Sequence, residues 1–263
     1  MLSSILIPAL AVGATGLAFG ALLGFASIVF KVDKDERIDK ICELLPGANC
    51  GGCGYAGCGA LAEAVVTKGE AATKCNLMTE EKNKIICEMM GVEAGAVVKR
   101  TARLKCAGTC EACGNKYDFT GINDCYTAMQ LNGGPKKCDF GCMGLGSCVA
   151  ACEFDAITIE NGIAHINTDN CTGCGRCTAV CPKNLIELVP EIHHVFVACS
   201  STDKGVLVKG YCSSGCIGCK ICEKNCEANA IHVENNLAAI DYDKCTSCGA
   251  CAAACPKKII HTA

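Results

Sequence analysis

The chain opens with an apolar stretch, residues 5–30, in which no side chain is charged. As a helix rising 1.5 Å per residue, these roughly 26 residues would be about 39 Å long, which exceeds the hydrocarbon core of a bilayer, about 30 Å thick. A signal peptide is the competing interpretation, but it needs a basic segment before a shorter apolar run. The pattern therefore predicts a retained transmembrane helix over residues 1–30.

The charges around this stretch predict its orientation. Basic residues follow it directly, and none precedes it: Lys31, Lys34, Arg37 and Lys40. Because loops rich in lysine and arginine stay in the cytoplasm, we expect a single-pass protein of the cell membrane whose C-terminal cluster domains are cytoplasmic. Gly16, Gly20 and Gly24 form a face of small residues on this helix, against which we expect a helix of a partner protein to pack closely.

Beyond the apolar stretch, the pattern changes to a short amphipathic segment followed by a glycine-rich one. Residues 31–45 have the periodicity of a helix with one apolar side, and Pro46-Gly47 ends it. Four cysteines then follow in the spacing C-x2-C-x4-C-x16-C: Cys50, Cys53, Cys58 and Cys75. Glycines between them allow the turns that direct several thiolates at one centre. We predict a small helical domain over residues 31–105 that binds one [4Fe–4S] cluster, with structural zinc as the alternative. Cys42 and Cys87 are predicted to be ordinary buried thiols.

The remainder of the chain repeats itself. Residues 125–189 correspond to residues 199–263, and nine cysteines coincide at a constant offset of 74. Each repeat ends in C-x2-C-x2-C-x3-C-P, the spacing with which bacterial ferredoxins hold [4Fe–4S] clusters. A total of 28 cysteines would indicate disulfides in a secreted protein. A disulfide framework does not require this regular spacing, however, so the pattern favours electron transfer. The formal charge of −3 counts thiols as neutral and says little about partners.

The ligands can be assigned because the fourth cysteine of each ferredoxin run binds the neighbouring cluster. In the second module, residues 191–263, one cluster takes Cys216, Cys219, Cys222 and Cys255. Its neighbour takes Cys226, Cys245, Cys248 and Cys251. In the first module, residues 106–190, the complete set is Cys152, Cys171, Cys174 and Cys177. Residues 230–240 alternate like a small hairpin. The predicted fold class is α+β: a transmembrane helix, a helical four-cysteine domain and two tandem ferredoxin-like modules.

One cluster of the first module lacks a ligand. Three of its cysteines are present: Cys142, Cys148 and Cys181. Leu145 stands at the position that corresponds to Cys219. Cys138 is the nearest candidate for the fourth ligand, and we predict that it fills this place. Its repeat partner Cys212 belongs to a module with no missing ligand, so a different role shared by the two is the alternative.

Four more cysteines lie at the start of the first module, in the spacing C-x3-C-x2-C-x11-C: Cys106, Cys110, Cys113 and Cys125. This spacing would suit a sixth cluster. Cys125 corresponds to Cys199, which has no matching upstream trio, and this argues against the assignment. We therefore expect five [4Fe–4S] clusters, with this group as the alternative sixth site. Cys199 and Cys212 are interpreted as free thiols or as neighbours of clusters.

Several motifs, which follow one another in the same order, resemble those of the B subunits of the Rnf complex. They are the run over residues 45–58, LPGANCGGCGYAGC; Lys116-Tyr117 to Asp124-Cys125; the GGPK of residues 133–136; the GCMGLG of residues 141–146; and the two ferredoxin runs. The match covers essentially the whole chain, including an N-terminal membrane anchor. One departure is Cys75-Asn76-Leu77-Met78, where the family has prolines and glycines after the cysteine.

The resemblance implies a role in a membrane complex that oxidises reduced ferredoxin, reduces NAD and pumps Na⁺ or H⁺. It implies soluble ferredoxin as the electron donor and, as partners, other membrane subunits and NAD- or flavin-binding subunits, with no nucleic acid. The chain itself has no G-x-G-x-x-G after a strand, so nicotinamide chemistry belongs to another subunit. A polyferredoxin of another membrane oxidoreductase, such as a hydrogenase, is the alternative. A structural zinc protein is the alternative of a different class.

Overall fold

The computed structural model describes residues 2–29 and 35–262, and within the first helix it describes the side chains of residues 12–26. Helix α1 spans Leu2–Val29. Its described side chains are nearly all exposed, and no other atom would lie within 4 Å of a β-carbon added at Gly16, Gly20 or Gly24. Packing of this glycine face against a partner therefore stays a prediction.

The prediction of a transmembrane helix over residues 1–30 is wrong. Crossing a membrane takes about 20 consecutive apolar residues in one helix. Among the described residues, no helix combines the length and the hydrophobicity that a membrane span needs. Lys31 and Lys34, which supported the predicted orientation, lie outside the described residues.

The four-cysteine domain is built from short helices. They are α2 (Glu36–Leu44), α3 (Cys58–Lys68), a 3-10 helix (Ala72–Lys74) and α4 (Glu80–Met90). The predicted amphipathic helix is thus present over Glu36–Leu44. The Asp35 carboxylate accepts the N–H of Arg37 where α2 begins, and the Thr79 hydroxyl accepts that of Lys82 where α4 begins. Both are N-caps that satisfy otherwise unpaired backbone donors.

Ile41, Leu61 and Ile86 form the centre of this domain and are almost fully buried. They come from α2, α3 and α4, so the core joins the three helices. Cys42 packs against this core, and the Cys87 thiol lies beside the side-chain oxygen of Asn83 on α4. Both of these thiols are partly rather than fully buried.

The two ferredoxin-like modules contain the strands and the shorter helices. The first has β1 (Arg100–Leu104), α5 (Cys125–Gln130), α6 (Ser147–Ala150), β2 (Ile157–Glu160), β3 (Ile163–Ile166), α7 (Arg176–Val180) and β4 (Ile186–Pro190). The second has β5 (Val195–Val197), α8 (Gly205–Tyr211), α9 (Ile221–Lys224), β6 (Ile231–Glu234), β7 (Leu237–Ile240), α10 (Ala250–Ala254) and β8 (Ile260–Thr262). The chain is therefore mixed helix and strand, as predicted.

Both modules have the same strand pairing. An inner hairpin, β2–β3 or β6–β7, lies between the two cysteine runs, and the predicted hairpin corresponds to β6–β7. An outer antiparallel pair, β1–β4 or β5–β8, joins the first strand of each module to its last. Strand β1, which lies in the predicted four-cysteine domain, thus pairs with the first ferredoxin module.

Hydrogen bonds connect the units. The two ferredoxin modules meet where the Ala107 N–H donates to the Ala198 carbonyl at 2.9 Å and the Ser200 hydroxyl donates to the Lys105 carbonyl at 3.0 Å. The four-cysteine domain meets the first module at residue 173, where the Asn76 side-chain amide donates to the buried Gly173 carbonyl at 2.9 Å.

Candidate iron–sulfur centres

The first candidate centre lies in the four-cysteine domain. A cavity of about 370 Å³ is lined by all four of its predicted ligands: Cys50, Cys53, Cys58 and Cys75. Helix α3 begins at Cys58, whose N–H donates to the side-chain oxygen of Asn49 at 2.8 Å, and this bond holds the glycine-rich turn on the helix. Cys75 follows the 3-10 helix, and burial raises the pKa of its thiol.

Three further cavities of about 330 Å³ lie in the ferredoxin modules, and each is lined by four predicted ligands. In the first module these are Cys152, Cys171, Cys174 and Cys177. In the second they are Cys216, Cys219, Cys222 and Cys255, and then Cys226, Cys245, Cys248 and Cys251. In every set, one cysteine comes from the other cysteine run of the same module. The structure therefore groups thiols from both runs of each module, and their role as cluster ligands stays a prediction.

Backbone N–H groups point at the sulfurs of these sets. The Ala102 N–H lies 3.4 Å from the Cys171 sulfur, and the Ala230 N–H lies 3.3 Å from the Cys226 sulfur. Such bonds stabilise a thiolate and raise the reduction potential of a cluster that it holds.

The incomplete set of the first module has Cys125 beside it. Burial raises the pKa of the Cys148 thiol to about 12, and the nearby charges of Cys142, Cys125 and Cys181 raise it further. Cys125, at the start of α5, thus lies near this set, whereas Cys138 lines a different cavity.

A short hydrogen-bond network positions Cys125. The Cys125 N–H donates to the Ser147 hydroxyl at 2.8 Å, and that hydroxyl donates to the Asp124 carboxylate at 3.0 Å. Asp124 also accepts the N–H of Thr127 and so caps α5. Because Ser147 directly precedes Cys148, the network joins the start of α5 to a predicted ligand of the same centre.

Cys138 lies in a different cavity, between the two modules. This space of about 350 Å³ is lined by five thiols: Cys106, Cys113, Cys138, Cys199 and Cys212. A hydrogen bond between two of them lowers the pKa of Cys113 to about 6 and raises that of Cys212. The predicted sixth group is therefore divided: Cys106 and Cys113 face this cavity, Cys125 approaches the incomplete set, and Cys110 is exposed.

The thiol sets suit clusters better than single ions. Thiolates that share one zinc ion at 2.3 Å lie about 3.8 Å apart. Within the described part of the chain, no three or more His, Cys, Asp or Glu side chains are close enough to hold one metal ion. The thiols instead surround cavities of about 330–370 Å³, and [4Fe–4S] clusters are bound in this way, by four thiolates at their corners. The donor sets therefore fit such clusters.

Protonation is part of cluster binding at these sites. Burial raises the pKa of the Cys177 and Cys222 thiols to about 11. These thiols carry protons in the metal-free protein at neutral pH. Because iron binds the thiolate, each must release its proton when a cluster is assembled.

The first two candidate centres along the chain are in direct contact. Cys174, a predicted ligand in the first ferredoxin module, also lines the cavity of the four-cysteine domain. A β-carbon at Gly52, between Cys50 and Cys53, would overlap the Cys174 carbonyl oxygen. Glycine at this position therefore allows the two cysteine loops to touch.

Comparison with known proteins identifies the same regions. A family model described as an Fe–S cluster matches residues 45–76, and models described as 4Fe-4S dicluster domains match residues 139–188 and 215–259.

Three curated relatives resemble the chain over most of its length, and each is the B component of an oxidoreductase complex. That of the ion-translocating oxidoreductase complex of Methanosarcina acetivorans is 46% identical over 99% of both chains. That of the Na(+)-translocating ferredoxin:NAD(+) oxidoreductase complex of Acetobacterium woodii is 44% identical over 99% of this chain and 78% of its own. That of the proton-translocating ferredoxin:NAD(+) oxidoreductase complex of Clostridium ljungdahlii is 40% identical over 92% of this chain and 86% of its own. With its grouped cysteines and this similarity, the chain belongs to the family of B subunits of Rnf-type ion-translocating ferredoxin:NAD oxidoreductases.

Proposed function

We propose that this chain is the electron-transfer subunit of an Rnf-type ferredoxin:NAD oxidoreductase and that reduced ferredoxin is its electron donor. The observation that carries the proposal is the contact between neighbouring cysteine sets, seen where Cys174 lines the cavity of the four-cysteine domain. A [4Fe–4S] cluster accepts and donates one electron at a time, so sets in contact form a route for electrons. Similarity to the curated B subunits supports the same role.

We further propose five [4Fe–4S] clusters, held by the four cysteine sets predicted from the spacing and by a fifth set. The fifth set is Cys125, Cys142, Cys148 and Cys181, with Cys125 in place of Cys138. The support for Cys125 is its proximity to Cys148 and its attachment to Ser147 through the backbone N–H. These side chains bind the clusters, and the surrounding N–H groups stabilise the thiolates.

The partners follow from the names of the relatives, which are components of ion-translocating complexes. We propose that the chain works at the cell membrane within such a complex and passes its electrons to subunits that carry the flavin or NAD chemistry. We place its cluster domains in the cytoplasm, because that compartment is reducing and keeps cysteine ligands from forming disulfides.

The test is anaerobic reconstitution of the full chain followed by mixing with reduced ferredoxin. We expect at least about twenty irons per chain, from four per cluster, and rapid bleaching of the brown colour when the donor is added. Cys50→Ala should lose about four irons, whereas Cys42→Ala, which alters a thiol outside the cavities, should lose none. Eight or fewer irons, zinc instead of iron, or no bleaching by ferredoxin would each refute the proposal.

A further inference from the structure

The cavity between the two ferredoxin modules contains more thiols than any predicted cluster uses. Four of its five cysteines are at most 8% exposed: Cys113, Cys138, Cys199 and Cys212. Cys106 is partly exposed and also lines it. Its volume, about 350 Å³, lies within the range of the four cavities that are lined by predicted ligand sets. By size and donor type, it is equivalent to those sites.

Two of these thiols, one from each module, accept equivalent backbone hydrogen bonds. The Cys106 sulfur accepts the N–H of Cys142 at 3.3 Å, and the Cys199 sulfur accepts the N–H of Cys216 at 3.3 Å. Each donor is the first cysteine of the first run of its module. Cys106 and Cys199 thus occupy equivalent positions at the ends of β1 and β5.

Cys138 and Cys212 form a second repeat-related pair, at the offset of 74. Each lies four residues before the first ferredoxin cysteine of its module, and the backbone N–H of Phe140 or Ser214, two residues later, partly offsets the rise in the pKa of its thiol. The Cys106 sulfur accepts the N–H of Gly108, two residues later, at 3.4 Å. This is the same arrangement as at Cys245, where the N–H of Ser247 lies 3.4 Å from the sulfur.

One positive charge is buried beside this cavity. Lys136 is 2% exposed and lines the cavity, and its ammonium group donates to the carbonyls of Gly108 and Gly162. A buried cation partly offsets the negative charge that four thiolates bring to a cluster. The local electrostatics therefore favour an anionic group in this space.

We propose that this cavity binds a sixth [4Fe–4S] cluster through Cys106, Cys138, Cys199 and Cys212, two ligands from each module. The inference rests on the proposed function, because it assumes that the chain carries clusters. A cluster held by these four thiols would lie between the thiol sets that contain Cys142 and Cys216, and it would supply one-electron transfer between them. The site is therefore the connection between the two modules, and Cys113 is a neighbouring thiol that is not a ligand.

The test measures iron, sulfide and zinc in the reconstituted full chain. The wild-type chain should hold about twenty-four irons, and a variant with both Cys138→Ala and Cys212→Ala should hold about twenty. Cys110→Ala, which changes an exposed thiol of the same segment, is the matched control and should leave twenty-four, as should Cys113→Ala. Cys212→Ala alone should leave a soluble protein in which one centre shows the oxidised EPR signal of a three-iron cluster.

The possible outcomes distinguish failure of the sixth-cluster proposal from failure of the proposed function. About twenty irons in both the wild-type chain and the double variant would overturn the sixth cluster and leave the five-cluster proposal intact. About twenty irons with one zinc that the double variant loses would replace the cluster with a zinc site. Eight or fewer irons in the wild-type chain would overturn both proposals. Loss of four irons in Cys113→Ala, but not in a variant with both Cys106→Ala and Cys199→Ala, would overturn the ligand assignment.

Discussion

One side-chain hydrogen bond between the four-cysteine domain and the first ferredoxin module can be removed by a single substitution. The Asn76 amide donates to the Gly173 carbonyl at 2.9 Å, and Gly173 is buried. Asn76→Ala removes the donor and leaves this carbonyl without that partner, which costs about 1–3 kcal/mol for a buried polar group. Because 1.36 kcal/mol is a factor of ten in an equilibrium constant, separation of the two surfaces should become about 5- to 150-fold more frequent.

Hydrogen exchange measured by mass spectrometry on the reconstituted protein checks this prediction. Exchange in residues 50–58 and 171–177 should accelerate in the Asn76→Ala variant, while exchange in the second module stays unchanged, because local opening exposes only the segments that separate. Asn236→Ala is the matched control, since the Asn236 amide makes the same type of bond to the Thr202 carbonyl, at 3.0 Å, on an exposed surface. Equal exchange in the wild-type and Asn76→Ala proteins would refute the claim that this bond holds the domain in place.

Three further predictions concern single residues of the ferredoxin modules. Cys125→Ala should convert one cluster to a three-iron form or remove its four irons, as measured by EPR and iron analysis; an unchanged spectrum would contradict the role proposed for Cys125. The bonds from Thr127 and Ser147 lower the pKa of Asp124. Its carboxylate therefore stabilises the fold above the ordinary carboxyl pKa, about 3.9, and this stabilisation is lost as the pH falls through the lowered pKa. Asp124→Asn should remove this acid dependence from thermal unfolding curves. Ile259→Ala, at a position only 1% exposed, should destabilise the second module by about 2–5 kcal/mol in denaturant unfolding, and a change below about 1 kcal/mol would argue against its place in the core.

The sequence alone predicted which thiols lie together where the grouping depends on local spacing. In C-x2-C-x2-C the three thiols lie within one turn of chain, and the repeat identifies the partner run, so the grouping of Cys171, Cys174 and Cys177 with Cys152 follows from the pattern. The β6–β7 hairpin follows from alternation of apolar residues around a pair of asparagines, both with positive φ.

The sites that depend on tertiary contacts could not be predicted in this way. In the sequence, the constant offset of 74 pairs Cys125 with Cys199. In the structure, Cys199 is instead equivalent to Cys106, because each accepts the N–H of the first cysteine in the first run of its module. The cause is a difference in length: residues 107–137 separate Cys106 from Cys138, whereas only residues 200–211 separate Cys199 from Cys212. The longer segment brings in Cys125, which approaches the incomplete set. Counting cysteines that lack a repeat partner would have identified this segment. It would not have shown the direction in which the thiols of the segment point.

The exchange of cysteines between runs has a consequence for the biosynthesis of the protein. The set that contains Cys216, Cys219 and Cys222 is completed by Cys255, which belongs to the second cysteine run of the module. During translation, three thiols of this set are made before the fourth. Until Cys255 has been added, the set lacks one ligand. Assembly of this centre therefore waits for residue 255, and a chain that ends before Cys255 loses a whole redox centre.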